Sequence, residues 1–420
     1  MRRLITAAGG AAAVAGCVAG LVYLGPGTPR PRTAAPPAAA PDARINPVDT
    51  ARRATAAYPE NPAVWAGLAR AEIEQARTTL DAGRLDGADK ALHRSLALDP
   101  TDNYGAVTGQ GLLANARHEF SQGRAYGLRA TRMAPDRADG YAVLADAEIQ
   151  LGHYPQARAA VQRMLDIAPA TAAYSRAAYD LETNGRPEDA AIALQRARDS
   201  AVSPDERAFT EARLGDLDWS LGKVDRAEQH YQRALAAVPD HPYGMSGIAR
   251  VAAARGYTSK ALTLYSRLAE RTPSPQFLLE ALDLRREADG SGRGSEKAAL
   301  SAQLRMADAD DGPVDPHLIL YAADHDDPDV AVELARREWK HAHSVIVADA
   351  LGWALHRAGR NTEALTYARR AVATGWKNAL FLHHLGTIER ALALPEGTRH
   401  LRESAALNPF LSLYRPDPDE

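Results

Sequence analysis

The Gly222-Lys223 pair, inside the stretch "GDLDWSLGKV", is the first place in this sequence where chemistry could occur. A Gly-Lys pair at the start of a helix can end a phosphate-binding loop, in which backbone N–H groups and the lysine hold the phosphates. Such a loop requires the pattern G-x-x-x-x-G-K-[ST]. Here the preceding glycine, Gly215, lies seven residues before Gly222, and Val224 stands where a hydroxyl would bind Mg²⁺. The stretch therefore predicts a turn between helices and no nucleotide site.

A region rich in histidine and aspartate is the second candidate for chemistry. Eight of the 13 histidines follow residue 316, beside an acidic tract that runs from Asp308 to Asp329. Imidazoles and carboxylates are ligands for Zn, Ni or Co, and the candidates here are His317, His325, His341 and His343. No helical pair of ligands at i and i+4 organises them, and aspartates in turns commonly cap helices. A solvated loop is the favoured interpretation, and a metal-handling protein is the alternative.

The sequence contains no other motif of an enzyme active site. It lacks H-E-x-x-H and G-x-S-x-G, and its single cysteine, Cys17, lies in an apolar segment. The net charge is −3 with 25% charged residues, so the overall charge gives no reason to expect nucleic acid as a partner. We therefore predict a protein that is not an enzyme, has no catalytic residues and requires no cofactor.

Residues 1–24 predict a signal or membrane-anchor segment. Two arginines precede 21 uncharged, mainly apolar residues, enough for a helix to cross ~30 Å of bilayer core. Three interpretations stay open: an uncleaved anchor, a lipoprotein signal lipidated at Cys17, because "VAGC" resembles the bacterial lipobox, or a cleaved secretory signal. Residues 25–46, rich in proline and alanine, predict a semi-extended linker. We expect membrane association and an extracytoplasmic location at the cell envelope, with secretion as the weaker alternative.

A period of 34 to 35 residues runs through the rest of the chain, in which Ala, Leu, Arg and Glu favour helices. Its first landmark is a proline after a helical run, at Pro100, Pro135, Pro169, Pro204, Pro239 and Pro273. Its second landmark is a glycine inside each unit, at Gly83, Gly152, Gly185, Gly222, Gly256 and Gly359. Glycine permits the positive φ of a tight turn, and proline ends a helix. Each unit is therefore predicted to be a helix, a glycine turn, a second helix and a loop.

This pattern resembles the tetratricopeptide repeat family over roughly residues 60–410. The best match lies between residues 211 and 239, where the signature residues are Leu214, Gly215, Gly222, Ala227, Tyr231, Ala234 and Pro239. The resemblance implies an all-α fold, a right-handed α-solenoid of stacked antiparallel helix pairs. We assign residues 47–412 to this solenoid, with about ten units of which several are degenerate, and residues 413–420 to an acidic tail that contains proline.

The resemblance also implies a concave face, lined by the first helix of each unit, that binds a protein or peptide. The residues that the repeat pattern places there are Asp139, Asp146, Phe209, Asp216, Trp219, Tyr243, Arg250, Trp353, His356 and His383. Trp219 and Trp353 are the candidate aromatic anchors, although either could pack in the core instead. The predicted function is a non-catalytic scaffold whose partner carries basic or apolar side chains. The alternatives are metal handling and a structural, self-assembling array.

Overall fold

In the computed structural model, which describes residues 46–79, 81–289, 294–309 and 312–414, the chain is all α. These residues form 21 α-helices, two short 3-10 helices and no strand, which confirms the predicted fold class. The α-helices are α1 (Pro47–Ala57), α2 (Pro62–Thr79), α3 (Leu85–Leu98), α4 (Tyr104–Ala116), α5 (Phe120–Met133), α6 (Ala138–Gln150), α7 (Tyr154–Ile167), α8 (Thr171–Thr183), α9 (Pro187–Asp199), α10 (Pro204–Ser220), α11 (Val224–Ala237), α12 (Pro242–Ala254), α13 (Thr258–Arg271), α14 (Pro275–Asp289), α15 (Ser295–Ala309), α16 (Pro316–His325), α17 (Pro328–Trp339), α18 (Val345–Arg357), α19 (Asn361–Val372), α20 (Ala379–Ala391) and α21 (Gly397–Leu407).

The predicted anchor at residues 1–24, with Cys17, lies outside the described residues, as do most of the predicted linker and tail. Within the described part of the chain, no helix is both long enough and apolar enough to cross a membrane.

From α2 to α21, the described helices follow one another as ten pairs, which we call front and back helices. Five turns inside these pairs contain a glycine with φ between 68° and 79°, as the sequence predicts, at Gly152, Gly185, Gly222, Gly256 and Gly359. The prediction is wrong for Gly83, which lies in the 3-10 helix Ala82–Arg84. Two turns achieve positive φ without glycine, at His118 (58°) and Ala393 (55°).

Small residues allow the helices to pack closely. Tyr231 of α11 is fully buried, and its ring lies against two glycines of the neighbouring front helices. A Cβ on Gly215 would lie 2.6 Å from this ring, and a Cβ on Gly247 would lie 2.3 Å from it. The predicted small residues at the start of the back helices, including Ala88, Ala227, Ala261 and Ala364, have no exposed surface. Because interiors are close-packed, these positions exclude larger side chains.

The solenoid returns on itself, so that late repeats contact early ones. The backbone N–H of His343 donates to the carbonyl of Gln150 over 2.7 Å. The N–H of Val345 donates to the hydroxyl of Tyr154 over 2.9 Å, across 191 residues of sequence. We call this region, where glycine turns of the early repeats meet loops between late repeats, the inter-turn contact. It shows that the repeats form one closed superhelical body along this edge.

Apolar side chains extend the inter-turn contact. Phe120 of α5 packs with Ala342 and Val347, which precede and begin the ninth pair. The indole of Trp376 packs edge-on to Tyr179, with 6.0 Å between ring centroids. Burial of this apolar surface stabilises the contact beyond its few hydrogen bonds.

Candidate partner-binding site

Charged side chains on successive front helices pair with one another along the predicted concave face. Asp146 of α6 accepts two hydrogen bonds from Arg176 of α8, both at 2.9 Å, and both side chains are buried. Arg213 of α10 donates to Glu182 of α8 over 3.0 Å. Each pair therefore joins one repeat to the next, and the acidic groups of this face are engaged within the chain.

The densest of these clusters lies between α10, α12 and α14. Arg250 donates to both carboxylate oxygens of Glu280, at 3.1 and 2.7 Å, and to Asp216 at 3.1 Å. The Tyr231 hydroxyl donates to Asp216 over 2.9 Å, and the Tyr265 hydroxyl donates to Glu280 over 2.8 Å. A planar guanidinium between two carboxylates, with both acceptors further bonded, fixes the spacing of three front helices.

Charge compensation in this cluster outweighs the cost of burial. Burial acts to raise the pKa of Glu280, but the charge and hydrogen bonds of Arg250 hold that pKa below its usual range. Burial acts to lower the pKa of Arg250, yet Glu280 and Asp216 hold it well above its usual range. Burial and the neighbouring Glu280 raise the pKa of Tyr265. Arg250 and Glu280 are therefore charged, and Tyr265 is neutral, at physiological pH.

At two other predicted positions, buried carboxylates pair with arginines of the same chain. Burial raises the pKa of Asp146 to about 6, against the opposing charge of Arg176. Asp139, which is also buried, accepts a hydrogen bond from Arg137 over 3.0 Å. Both carboxylates are thus held by arginines of the same chain, and neither is free to pair with a basic partner.

Two predicted aromatic residues remain partly exposed. Phe209 of α10 lies under the guanidinium of Arg77, 5.4 Å from the ring centroid, because the long first front helix α2 reaches the fifth pair. Tyr243 of α12 packs edge-on to Phe277, with 5.8 Å between centroids, and keeps part of its ring exposed. A partly exposed aromatic ring held in place by its neighbours is suited to anchor a partner.

Trp219, the aromatic anchor favoured by the sequence, contacts the end of the chain. Its indole stacks with Phe410, with 5.9 Å between centroids and an angle of 25°. Tyr414 packs against the indole edge-on at 6.3 Å. The Trp219 carbonyl accepts a hydrogen bond from the Asn408 side chain over 3.1 Å. A segment of the protein itself therefore covers this position.

Trp353, the second candidate anchor, is the centre of a buried cluster. Its indole N–H donates to Asp324 over 2.8 Å, and its ring stacks on His384 with 4.1 Å between centroids. The predicted residues His356 and His383 lie at 5.0 and 6.3 Å from the indole centroid. The structure thus brings these three predicted residues together, but Trp353 itself is only 5% exposed and packs in the core.

The four candidate metal ligands have separate surroundings. His317 contacts Asp315 at 2.9 Å, His325 contacts Asp283 at 2.7 Å, and His343 packs against Trp339. His341 is exposed. Among the described residues, no group of three or more histidine, cysteine, aspartate or glutamate side chains could hold a metal ion. The arrangement gives the metal-handling alternative no support.

The sequence reasoning missed the residues that complete these clusters. Glu280 and Arg176 lie 30 residues after their partners Arg250 and Asp146. Opposite charges about one helical turn short of a full repeat apart were a signal for this pairing, because stacked repeats bring consecutive front helices together. No comparable signal marked Phe410, which follows the last helix and contacts a residue far back in the chain.

Comparison with known families decides what the helix pairs are. Residues 108–172, 142–205 and 212–275 match the model of the tetratricopeptide repeat. Residues 108–205 and 212–275 are tetratricopeptide repeats. Trp219 lies in the matched part of the solenoid. So do Asp216 of α10 and Arg250 of α12, which belong to the densest charge cluster.

Curated relatives are considerably longer than this chain. Cellulose synthase 1 operon protein C of Komagataeibacter xylinus is 28% identical over 258 residues, which is 61% of this chain and 17% of that protein. Cellulose synthase operon protein C of the same organism is 25% identical over 380 residues, 89% of this chain and 26% of that protein. This chain therefore spans about a quarter or less of the length of these relatives.

Among solved structures, yeast Tom70 is similar over 86% of this chain and 87% of its own, with 13% identity and a TM-score of 0.46. PilW, a type IV pilus biogenesis factor, is similar over 49% of this chain and 95% of its own, with 18% identity and a TM-score of 0.41.

Proposed function

We propose that this protein is a non-catalytic scaffold that binds a protein or peptide partner along the face formed by its front helices. The observation that carries the proposal is a preorganised surface, in which Phe209 and Tyr243 are held partly exposed among cross-paired charges. Binding to a surface that is already ordered avoids the entropy loss of arranging the side chains.

The charge pairing narrows the chemistry of the partner. The sequence favoured a basic or an apolar partner, but the carboxylates of Asp146, Asp216 and Glu280 already face arginines of this chain. A basic segment would have to compete with bidentate arginine contacts that are buried. We therefore propose a partner that contributes apolar and aromatic side chains.

A crosslinking pull-down with the full-length protein tests the proposal. Phe209→Ala combined with Tyr243→Ala removes both partly exposed rings and is expected to abolish at least one specific partner. Tyr257→Ala is the matched control, because this tyrosine is 62% exposed and lies in a turn on another part of the surface. Retention of every partner by the double variant, with a helical spectrum like that of the parent, would show that this face is not the binding surface.

We also propose that residues 1–24 tether the scaffold at the cell envelope, on the basis of their uncharged, apolar composition. The curated relatives are proteins of cellulose synthase operons, so components of a polysaccharide synthase system are the first partners to test. Fractionation of cells that express the parent and a variant without residues 1–24 measures the tether. Equal recovery of both proteins in the soluble fraction would contradict it.

A further inference from the structure

The segment at residues 408–414, which we call the C-terminal strap, lies on repeats far upstream of its own position. It leaves α21 and reaches the end of α10, where Asn408 hydrogen bonds to the Trp219 carbonyl at 3.1 Å, across 189 residues of sequence. Its last residues form a short 3-10 helix, Leu411–Tyr414, that packs against α14. The strap therefore crosses from the last repeat to the fifth, sixth and seventh.

Two aromatic side chains of the strap occupy one site. Phe410 stacks on the Trp219 indole, and Tyr414 lies at the edge of the same indole. Tyr414 is only 8% exposed, and its hydroxyl lies 3.5 Å from the Tyr265 hydroxyl at the margin of the Arg250–Glu280 pair. The site therefore combines aromatic packing with a partner for the tyrosine hydroxyl, which a buried tyrosine usually requires.

The strap differs in its connections from the other loops of the inter-turn contact. The loops that meet Gly152 and Gly185 are each fixed between two helices, α17 and α18 or α19 and α20. The strap follows α21, which ends at Leu407, and contains the short 3-10 helix Leu411–Tyr414. Its release breaks the contacts of Asn408, Phe410 and Tyr414, and the strap contains none of the 21 described α-helices. Phe410 also remains partly exposed.

We propose that the surface around Trp219 and Tyr265 is a binding site for peptide segments with two aromatic residues four positions apart, and that the strap is its intramolecular occupant. This inference rests on the proposed scaffold function and names the partner chemistry of one part of the same face. A partner segment of the same chemistry displaces the strap. Because the strap is tethered, it competes at an effective concentration of about millimolar, so a segment replaces it when it binds more tightly, is multivalent or is present well above that concentration.

The direct test is binding of a fluorescent peptide with the sequence of residues 407–415, LNPFLSLYR. The proteins compared are the full chain and the full chain with Phe410→Ala and Tyr414→Ala, which weakens the strap and leaves the site intact. The peptide is expected to bind the double variant at least tenfold more tightly than the parent. Addition of Trp219→Ala is expected to remove this gain, and a peptide with serine at both aromatic positions is expected not to bind.

Equal binding to the parent and to a helical, cooperatively melting double variant would overturn the proposal. If the double variant does not fold, the parent protein still gives a decision by hydrogen exchange. The LNPFLSLYR peptide at about 10 mM, above the effective concentration of the strap, should accelerate exchange in residues 408–414 at least tenfold, and unchanged exchange would overturn the proposal. A negative result in both assays, with partners still lost in the Phe209→Ala/Tyr243→Ala pull-down, would reject the strap site and leave the scaffold function standing.

Discussion

Two groups of glycine turns share one backbone conformation and differ in what they touch. Gly152 and Gly185 have φ of 75° and 72°, and Gly256 and Gly359 have 79° and 75°. A Cβ on Gly152 would lie 2.6 Å from the carbonyl oxygen of His343, and one on Gly185 would lie 2.4 Å from that of Gly375. A Cβ on Gly256 or Gly359 would meet nothing within 4 Å. The glycine therefore gives the positive φ of the helix–helix turn in both groups. In only one group does it also contact a loop from a late repeat.

The contact between early and late repeats therefore uses glycines that the repeat already requires for its own turns. Gly152 and Gly185 must remain glycine for their backbone conformation and again for the approach of a late loop. At all four positions the backbone requires a positive φ. Only at Gly152 and Gly185 does a late loop also leave no room for a Cβ.

The largest expected effect comes from alanine at the contacted turns. Gly185→Ala and Gly152→Ala should each lower the free energy of unfolding by about 2 to 4 kcal/mol, since the positive φ and a clash with backbone both contribute. Gly256→Ala should cost only about 1 to 2 kcal/mol, from the positive φ alone. Urea titrations measure the difference. Equal losses of unfolding free energy for the three variants would show that the late loops do not contact the early turns closely.

Removal of an aromatic ring at the inter-turn contact tests whether that ring holds the superhelix in its compact form. Trp376→Ala deletes the packing against Tyr179 and should cost about 2 to 3 kcal/mol, because the ring is partly buried. Small-angle scattering should show a larger maximum dimension for this variant. Trp65→Ala is the control, since its indole bonds locally to the Pro59 carbonyl at 2.8 Å. A Trp376→Ala protein with unchanged dimensions would argue that this ring does not hold the turns together.

A single hydroxyl at the contact should matter less. Tyr154→Phe removes the acceptor for the Val345 N–H and should lower stability by about 1 kcal/mol, the usual net value of one hydrogen bond. Tyr257→Phe, at a turn outside the contact, should change stability by less than about 0.5 kcal/mol. Thermal unfolding of the two variants measures the difference. Equal stability would show that the Tyr154 hydroxyl does not stabilise the contact.

The smallest expected effect is a pH dependence at the same contact. Burial, followed by the charges of Arg370 and His153, lowers the pKa of His343. The unfolded chain then binds the proton first, so the stability from this group is full above ~6.5 and is lost as the pH falls below that value. Stability of the parent should fall more steeply between about pH 7.5 and about pH 5.5 than that of His343→Asn. An equal dependence of stability on pH in the two proteins would contradict this role of His343.

The periodicity of the sequence was sufficient for the helix pairs and for most of their turns. It placed Gly222 and Gly359 in positive-φ turns, because the requirement is local and glycine meets it best. It missed His118 and Ala393, which adopt the same conformation without being glycine. It also placed Gly83 in a glycine turn, where the longer α2 is followed by a 3-10 helix instead.

The candidate site was less predictable, for a physical reason. Trp219 and Trp353 were proposed from their positions in the repeat, but their burial depends on groups in other parts of the chain. His384 stacks on Trp353, and Phe410 stacks on Trp219. The contact with His384 depends on the next front helix, and the contact with Phe410 follows from the sum of small rotations between many repeats, which no single repeat encodes.

Hydrogen exchange at two backbone amides tests the central claim, closure of the superhelix, most directly. Val345 begins α18, and amides in the first turn of a helix have no acceptor within that helix. Its protection must therefore come from Tyr154, just as that of His343 must come from Gln150. We predict that both amides exchange at least tenfold more slowly than the amide of Asn361, which begins α19 at a turn outside the contact. Exchange of Val345 and His343 as fast as that of Asn361 would contradict the closed superhelix.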